Sequence, residues 1–164
     1  MNQLYATLQT YNTEYGEDDE DDVCEPIDKP MSINDFHVFE IILNSKNQVP
    51  ETISQGTGRI LAMYDPYQEV FVFDIRLEHI KGILACHFFL INGEDEIDQL
   101  IFTLFEKLTN NRAILKIKKT FSLKTNDLEV LPLLDAIERG RIVSVISTPK
   151  YPEGEIAGFI DVIY

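Results

Sequence analysis

The sequence predicts an α+β fold: a mixed, mostly antiparallel sheet of about six to seven strands with two helices packed on one face. Three observations carry that expectation. Strand-like runs come first and in hairpin succession. Two later segments, 94–110 and 132–139, have apolar residues at helical spacing. Glu69–Ile91, EVFVFDIRLEHIKGILACHFFLI, is the longest apolar segment almost free of turn residues, so the rest of the sheet is expected to be built around it.

Phe36–Leu43 opens the folded part as a strand, with Phe36, Val38, Glu40 and Ile42 at one parity and His37, Phe39, Ile41 and Leu43 at the other. Residues 44–58 read as a polar loop. Gly56-Thr57-Gly58-Arg59 is only a fragment of a phosphate loop and reads as a turn. Arg59–Tyr64 is a second strand, which Asp65-Pro66-Tyr67-Gln68 turns into Val70–Leu77 as a hairpin. After a reversal at Glu78 and His79, Lys81–Ile91 is a strand apolar at both parities, hence covered on both faces.

Glu94–Asn110 reads as the clearest helix. Ile97, Leu100, Ile101, Leu104, Phe105 and Leu108 form one stripe, and Glu94, Asp95, Glu96 and Asp98 crowd the first turn, where the helix dipole favours anions. Arg112–Phe121 is a strand with Ala113, Leu115 and Ile117 facing in and Lys116 and Lys118 facing out. A short helix follows, opened by Pro132 and closed by Gly140. Ile142–Ser147 and Ile156–Ile163 are the last strands, joined by a turn containing Pro149, Pro152 and Gly154.

Charge divides the chain more sharply than hydropathy does. Residues 1–35 hold ten acids and one base, whereas the remainder holds 18 acids and 13 bases. An acidic N-terminal arm, 1–35, is therefore expected ahead of a single domain, 36–164. The whole chain carries a formal charge of -14, which disfavours direct binding to a phosphate backbone and points to a basic protein partner. Its start lacks the basic and apolar regions of a signal peptide, and no apolar run is long enough to cross a bilayer. A cytoplasmic protein with no membrane contact is expected. Cys24 and Cys86 are expected to stay reduced, one in the acidic stretch and the other in a buried strand.

Two charge clusters are the candidate sites. Glu14, Glu17, Asp18, Asp19, Glu20, Asp21, Asp22 and Glu25 form the acidic run, and six of them are consecutive. Extended backbone advances about 3.3 Å per residue, close to the phosphate spacing of one nucleic-acid strand, so the run can imitate that charge density. Its plainer use is as a solvated tail. The second cluster is basic: between Lys107 and Lys124 no acid occurs, and Arg112, Lys116, Lys118 and Lys119 are candidates for docking an anion or the arm. Lysines that protect an exposed edge strand are the simpler reading.

His37, His79 and His87 lack neighbours at ligand or nucleophile spacing, and Cys86 and His87 point to opposite faces of a strand. Asp74, Arg76 and Glu78 read as a solvated ladder, and Phe71, Phe73, Phe88, Phe89, Phe102 and Phe105 as core. No catalytic residue, metal or cofactor is expected, and no enzyme. The functional expectation is a small acidic binding protein that neutralises a basic, nucleic-acid-handling protein, as an immunity protein, an antitoxin or a DNA-mimic anti-defence inhibitor would. The alternative is a structural or assembly subunit whose arm docks on a neighbour, a homo-oligomer.

Overall fold

Alternation of apolar and polar side chains dominates the computed structural model, which describes residues 37–163 apart from 49, 93–95, 110, 111 and 127. The result is an antiparallel β fold, not the α+β fold expected. Its strands are β1 (His37–Asn44), β2 (Thr57–Asp65), β3 (Val70–Glu78), β4 (Ile83–Ile91), β5 (Ile97–Leu108), β6 (Ile114–Ser122), β7 (Ile142–Ser147) and β8 (Ile156–Ile163). One short helix, α1 (Val130–Glu138), lies between β6 and β7. The eight strands form one sheet in the order β5-β4-β7-β8-β1-β2-β3-β6, and every neighbouring pair is antiparallel.

Glu69–Ile91 is not the middle of this sheet. It supplies β3 and β4, which four other strands separate, and β8 and β1 take the centre. The strand buried at every position is β7.

One face of the sheet is the core. Phe39, Ile41 and Leu43 of β1, Ile60 of β2 and Ile75 and Leu77 of β3 are buried completely or nearly so, while Glu40, Ile42 and Arg76 between them are half-buried or exposed. The sheet curls into a half-barrel around these side chains. Phe73 of β3 meets Phe88 of β4 at 5.6 Å between ring centroids, although the two strands are far apart in the sheet. Leu133 and Ile137 of α1 complete the lining, and the space left among them is about 10 Å³. That holds about one water at most.

Within the expected helix 94–110, Ile97–Leu108 is strand β5, and the register explains the difference. Cys86 pairs with Phe105 but His87 with Thr103, Phe88 with Phe102 but Phe89 with Leu100, and Leu90 with Gln99 but Ile91 with Ile97. Leu104, Ile101 and Asp98 are therefore extra residues, one at every third position. Three regularly spaced bulges turn a period of two into one that imitates a helix.

The second helix is real but begins at Val130, two residues before Pro132. Its end is a Schellman motif: Arg141 N–H reaches Ala136 O at 2.8 Å, Gly140 N–H reaches Ile137 O at 2.9 Å, and Gly140 has φ +64°. The turn after β2 forms as expected, with Asp65 Oδ1 accepting from the backbone N–H groups of Tyr67 at 2.9 Å and Gln68 at 3.1 Å. Gly56-Thr57-Gly58-Arg59 instead leads into β2. Gly58 is small because a Cβ there would lie 2.6 Å from Leu77 Cδ2.

Candidate functional site

With the interior filled, the outer face and the edges of the sheet are what the described residues offer a partner. Outer side chains line up across strands. Leu100 of β5 stands opposite Phe89 of β4, Phe89 opposite Val143 of β7, and Val143 opposite Phe159 of β8. The β1–β8 register pairs Ile41 with Ile160 and Asn44 with Ala157, which sets Ile42 beside Phe159. Ile42 then faces Arg59 of β2, Arg59 faces Arg76 of β3, and Arg76 faces Lys116 of β6. A single row thus crosses all eight strands, apolar over five and cationic over three.

Parts of that row are exposed: Leu100 by 47%, Phe159 by 43% and Ile42 by 52%. Its cationic end sets like charges opposite each other, an arrangement that costs stability. Arg59 is relieved by an ion pair with Glu40, and Arg76 by Glu78, whose Oε1 lies 2.8 Å from Nη2. Asp74 and Asp161 also lie on this face, so it is of mixed charge except along β6.

On β6, Lys116, Lys118 and Lys119 are exposed, and none has an ion pair with a described residue. Lys116 and Lys118 share the outer face. Lys119 stands opposite Phe73 and so belongs to the inner rim. The strand pairs with β3 through nine successive residues without a bulge, and its other side has no strand beside it among the described residues. The opposite edge, β5, is interrupted by its three bulges.

The family model of the CHRD domain matches residues 39–160, from β1 through β8. The chain belongs to the CHRD domain family. No curated protein and no solved structure matches it. Membership overturns the expectation of an immunity protein, an antitoxin or a DNA mimic. That expectation came from the acidic run, and a run of like charge reports solvation and charge without specifying a family. Glu14, Glu17, Asp18, Asp19, Glu20, Asp21, Asp22, Glu25 and Cys24 lie outside the described residues.

Within the CHRD domain, the basic cluster is only partly one site. Arg112 precedes β6 in an exposed turn, while Lys107 sits on β5 at the other edge. Lys124 pairs with Glu69 at 3.1 Å. Arg59 and Arg76, read from the sequence as part of a turn and of a solvated ladder and not of the basic cluster, join Lys116 through strand register. They are isolated in the chain, so only the pairing reveals them.

The histidines are dispersed. His37 begins β1, His79 lies in the β3–β4 turn with φ 58°, and His87 of β4 shares a hydrogen bond with Thr103, Nδ1 to Oγ1, at 2.8 Å. No group of three His, Cys, Asp or Glu converges among the described residues. Cys86 is fully buried, 3.6 Å from Ser144 Oγ, and burial pushes its thiol up to about 12, slightly opposed by that hydroxyl. Burial also raises the Tyr64 hydroxyl, aided by the Glu69 and Asp65 carboxylates.

Glu155, like Asp65, is a buried carboxylate, and its partners make it structural. Its Oε1 accepts from Ser54 Oγ at 2.5 Å and its Oε2 from Thr148 Oγ1 at 2.7 Å, while Thr52 Oγ1 donates to its backbone oxygen at 2.6 Å. Tyr151 adds its hydroxyl to Ile53 O at 2.7 Å. The β1–β2 loop is thereby held to the β7–β8 connection. A shallow depression of about 320 Å³ beside the end of α1 carries Glu138, Arg139 and Asp161, and Arg139 is bound to Asp135 at 2.8 Å.

Proposed function

We propose that this CHRD domain is a non-catalytic binding module that engages an acidic protein partner through β6 and the outer face beside it. The observation that carries this reading is the set of exposed, unpaired Lys116, Lys118 and Lys119 on an uninterrupted edge strand. A chain of net charge -14 gains nothing in its overall field from three lysines kept together, whereas a local cationic edge selects carboxylates at short range. Exposed Ile42 and Phe159, farther along the outer row, give apolar side chains of the same partner a place to rest. The filled interior supports binding over catalysis, since a reaction site needs a concave pocket with convergent groups. Family membership supports an extracytoplasmic setting, CHRD domains being typical of secreted proteins.

The test is binding to poly-glutamate by calorimetry at low and moderate salt. Through its overall field the protein should be repelled, so binding that weakens with salt and is lost in the Lys116→Gln/Lys118→Gln/Lys119→Gln variant supports the reading. Failure of the native protein to bind, or equal binding by the variant, overturns it.

A further inference from the structure

We infer that β6 captures its partner as an added strand: an extended acidic segment hydrogen-bonds to the open edge of β6 and sets alternate carboxylates over Lys116 and Lys118. This rests on the reading of β6 as the binding edge and specifies how that edge is used.

The argument starts from backbone direction. His79 N–H donates to Ala113 O at 2.8 Å, and Leu123 N–H donates to Glu69 O at 3.1 Å. Both bonds fall on the register that pairs Ile75 with Ile117. In an antiparallel ladder, residues that exchange hydrogen bonds alternate with residues that do not. The odd positions of β6 from 113 to 123 therefore turn their N–H and C=O groups toward β3. The even positions Ile114, Lys116, Lys118 and Thr120 turn theirs to the open side.

The same even positions place their side chains on the outer face, because side-chain direction also alternates with period two. Lys116 and Lys118 thus present backbone groups and a cation to one incoming strand. They are two residues apart, about 7 Å, which is also the spacing of carboxylates at alternate positions of an extended peptide. Opposite charges placed across a strand pair stabilise it, and pairing at a sheet edge supplies main-chain affinity with side-chain selectivity. Nonspecific strand pairing is discouraged by the same lysines, since an apolar or basic strand would leave them facing apolar surface or like charge.

The experiment uses the full chain and a synthetic peptide alternating Glu and Val, with and without N-methylation of the residues that would face β6. The protein is tested in native, Thr120→Ala and Thr120→Pro forms. Proline at 120 removes an N–H that points to the open side and leaves the bonds to β3 in place, and a proline is tolerated on an edge strand for that reason. The expected result is salt-sensitive binding that weakens about tenfold on N-methylation and on Thr120→Pro, the loss of one or two hydrogen bonds, with Thr120→Ala unaffected. Binding that tolerates both N-methylation and Thr120→Pro overturns strand addition while leaving the cationic surface intact. No binding of the peptide by a native protein that does bind poly-glutamate also overturns it. Because N-methylation acts on the peptide alone, a folding defect in the proline variant cannot produce the expected pattern.

Discussion

Phe102 and Phe121 stand on the two strands that end the sheet, yet their ring centroids lie 4.3 Å apart. Phe102 also stacks on Phe88 at 4.5 Å, so one ring bridges β5, β4 and β6. The curl is thus closed by stacked aromatic rings where a barrel would use a hydrogen-bonded ladder. Aromatic contacts of this kind contribute about 1 kcal/mol each beyond the area they bury.

Phe102→Ala should open that seam. A loss of about 3 kcal/mol in urea-induced unfolding is expected, in the range for truncating a core aromatic residue. Phe159→Ala, on the outer face and 43% exposed, should cost less than about 1 kcal/mol. Equal effects in the two variants would show that the seam does not hold the curl.

Cys86 predicts both reactivity and pH dependence. A thiol held near 12 by burial is protonated in the folded protein at neutral pH, so it should resist a disulfide exchange reagent until the protein unfolds. Because the folded value lies above the ordinary 9.0, the unfolded chain ionises first as pH rises. Stability is therefore intact below about 9 and falls above it, by about 1.4 kcal/mol at one unit higher. Tyr64 acts with the same sign. Unfolding measured between pH 8 and 10 should accordingly be less pH-dependent in Cys86→Ala than in the native protein.

Gly158→Ala probes the middle of the sheet. A Cβ at 158 would collide with the backbone oxygen of Ile42 and lie 2.7 Å from Ile41 Cγ2, and backbone cannot rotate away as a side chain can. Destabilisation of about 3 kcal/mol is expected, the upper part of the range for overpacking. Thermal unfolding would reveal it.

Glu155→Ala leaves the hydroxyls of Ser54 and Thr148 without their acceptor. A cost of about 2 kcal/mol follows from stranding one buried donor, Thr148, and one half-buried donor, Ser54. The local consequence is more diagnostic: limited proteolysis should accelerate within 50–56, because Glu155 ties this loop to the β7–β8 connection.

Much of the fold was legible wherever one face of a strand is buried and the other is wet. Phe71, Phe73, Ile75 and Leu77 alternate cleanly, and β3 followed from them. So did the outward direction of Lys116 and Lys118. The run 97–108 misled because bulges at 98, 101 and 104 impose a period of three, and local pattern cannot distinguish that from a helix. Strand order was illegible for a different reason. The pairing of β4 with β7 joins residues about 60 positions apart, and periodicity within either strand carries no trace of the other. The row Arg59, Arg76 and Lys116 was hidden by the same fact.

The sheet order has a consequence for how the molecule is made. Strands β7 and β8 leave the ribosome after the other six strands of this sheet, yet they occupy the positions between β4 and β1. Until they emerge, the pair β5–β4 and the group β1-β2-β3-β6 have no strand to join them, so two half-sheets with open inner edges must wait side by side. Contacts so distant in sequence make for slow closure. Synthesis that stalls before residue 142 would leave two aggregation-prone edges where the finished molecule has its most deeply buried strand.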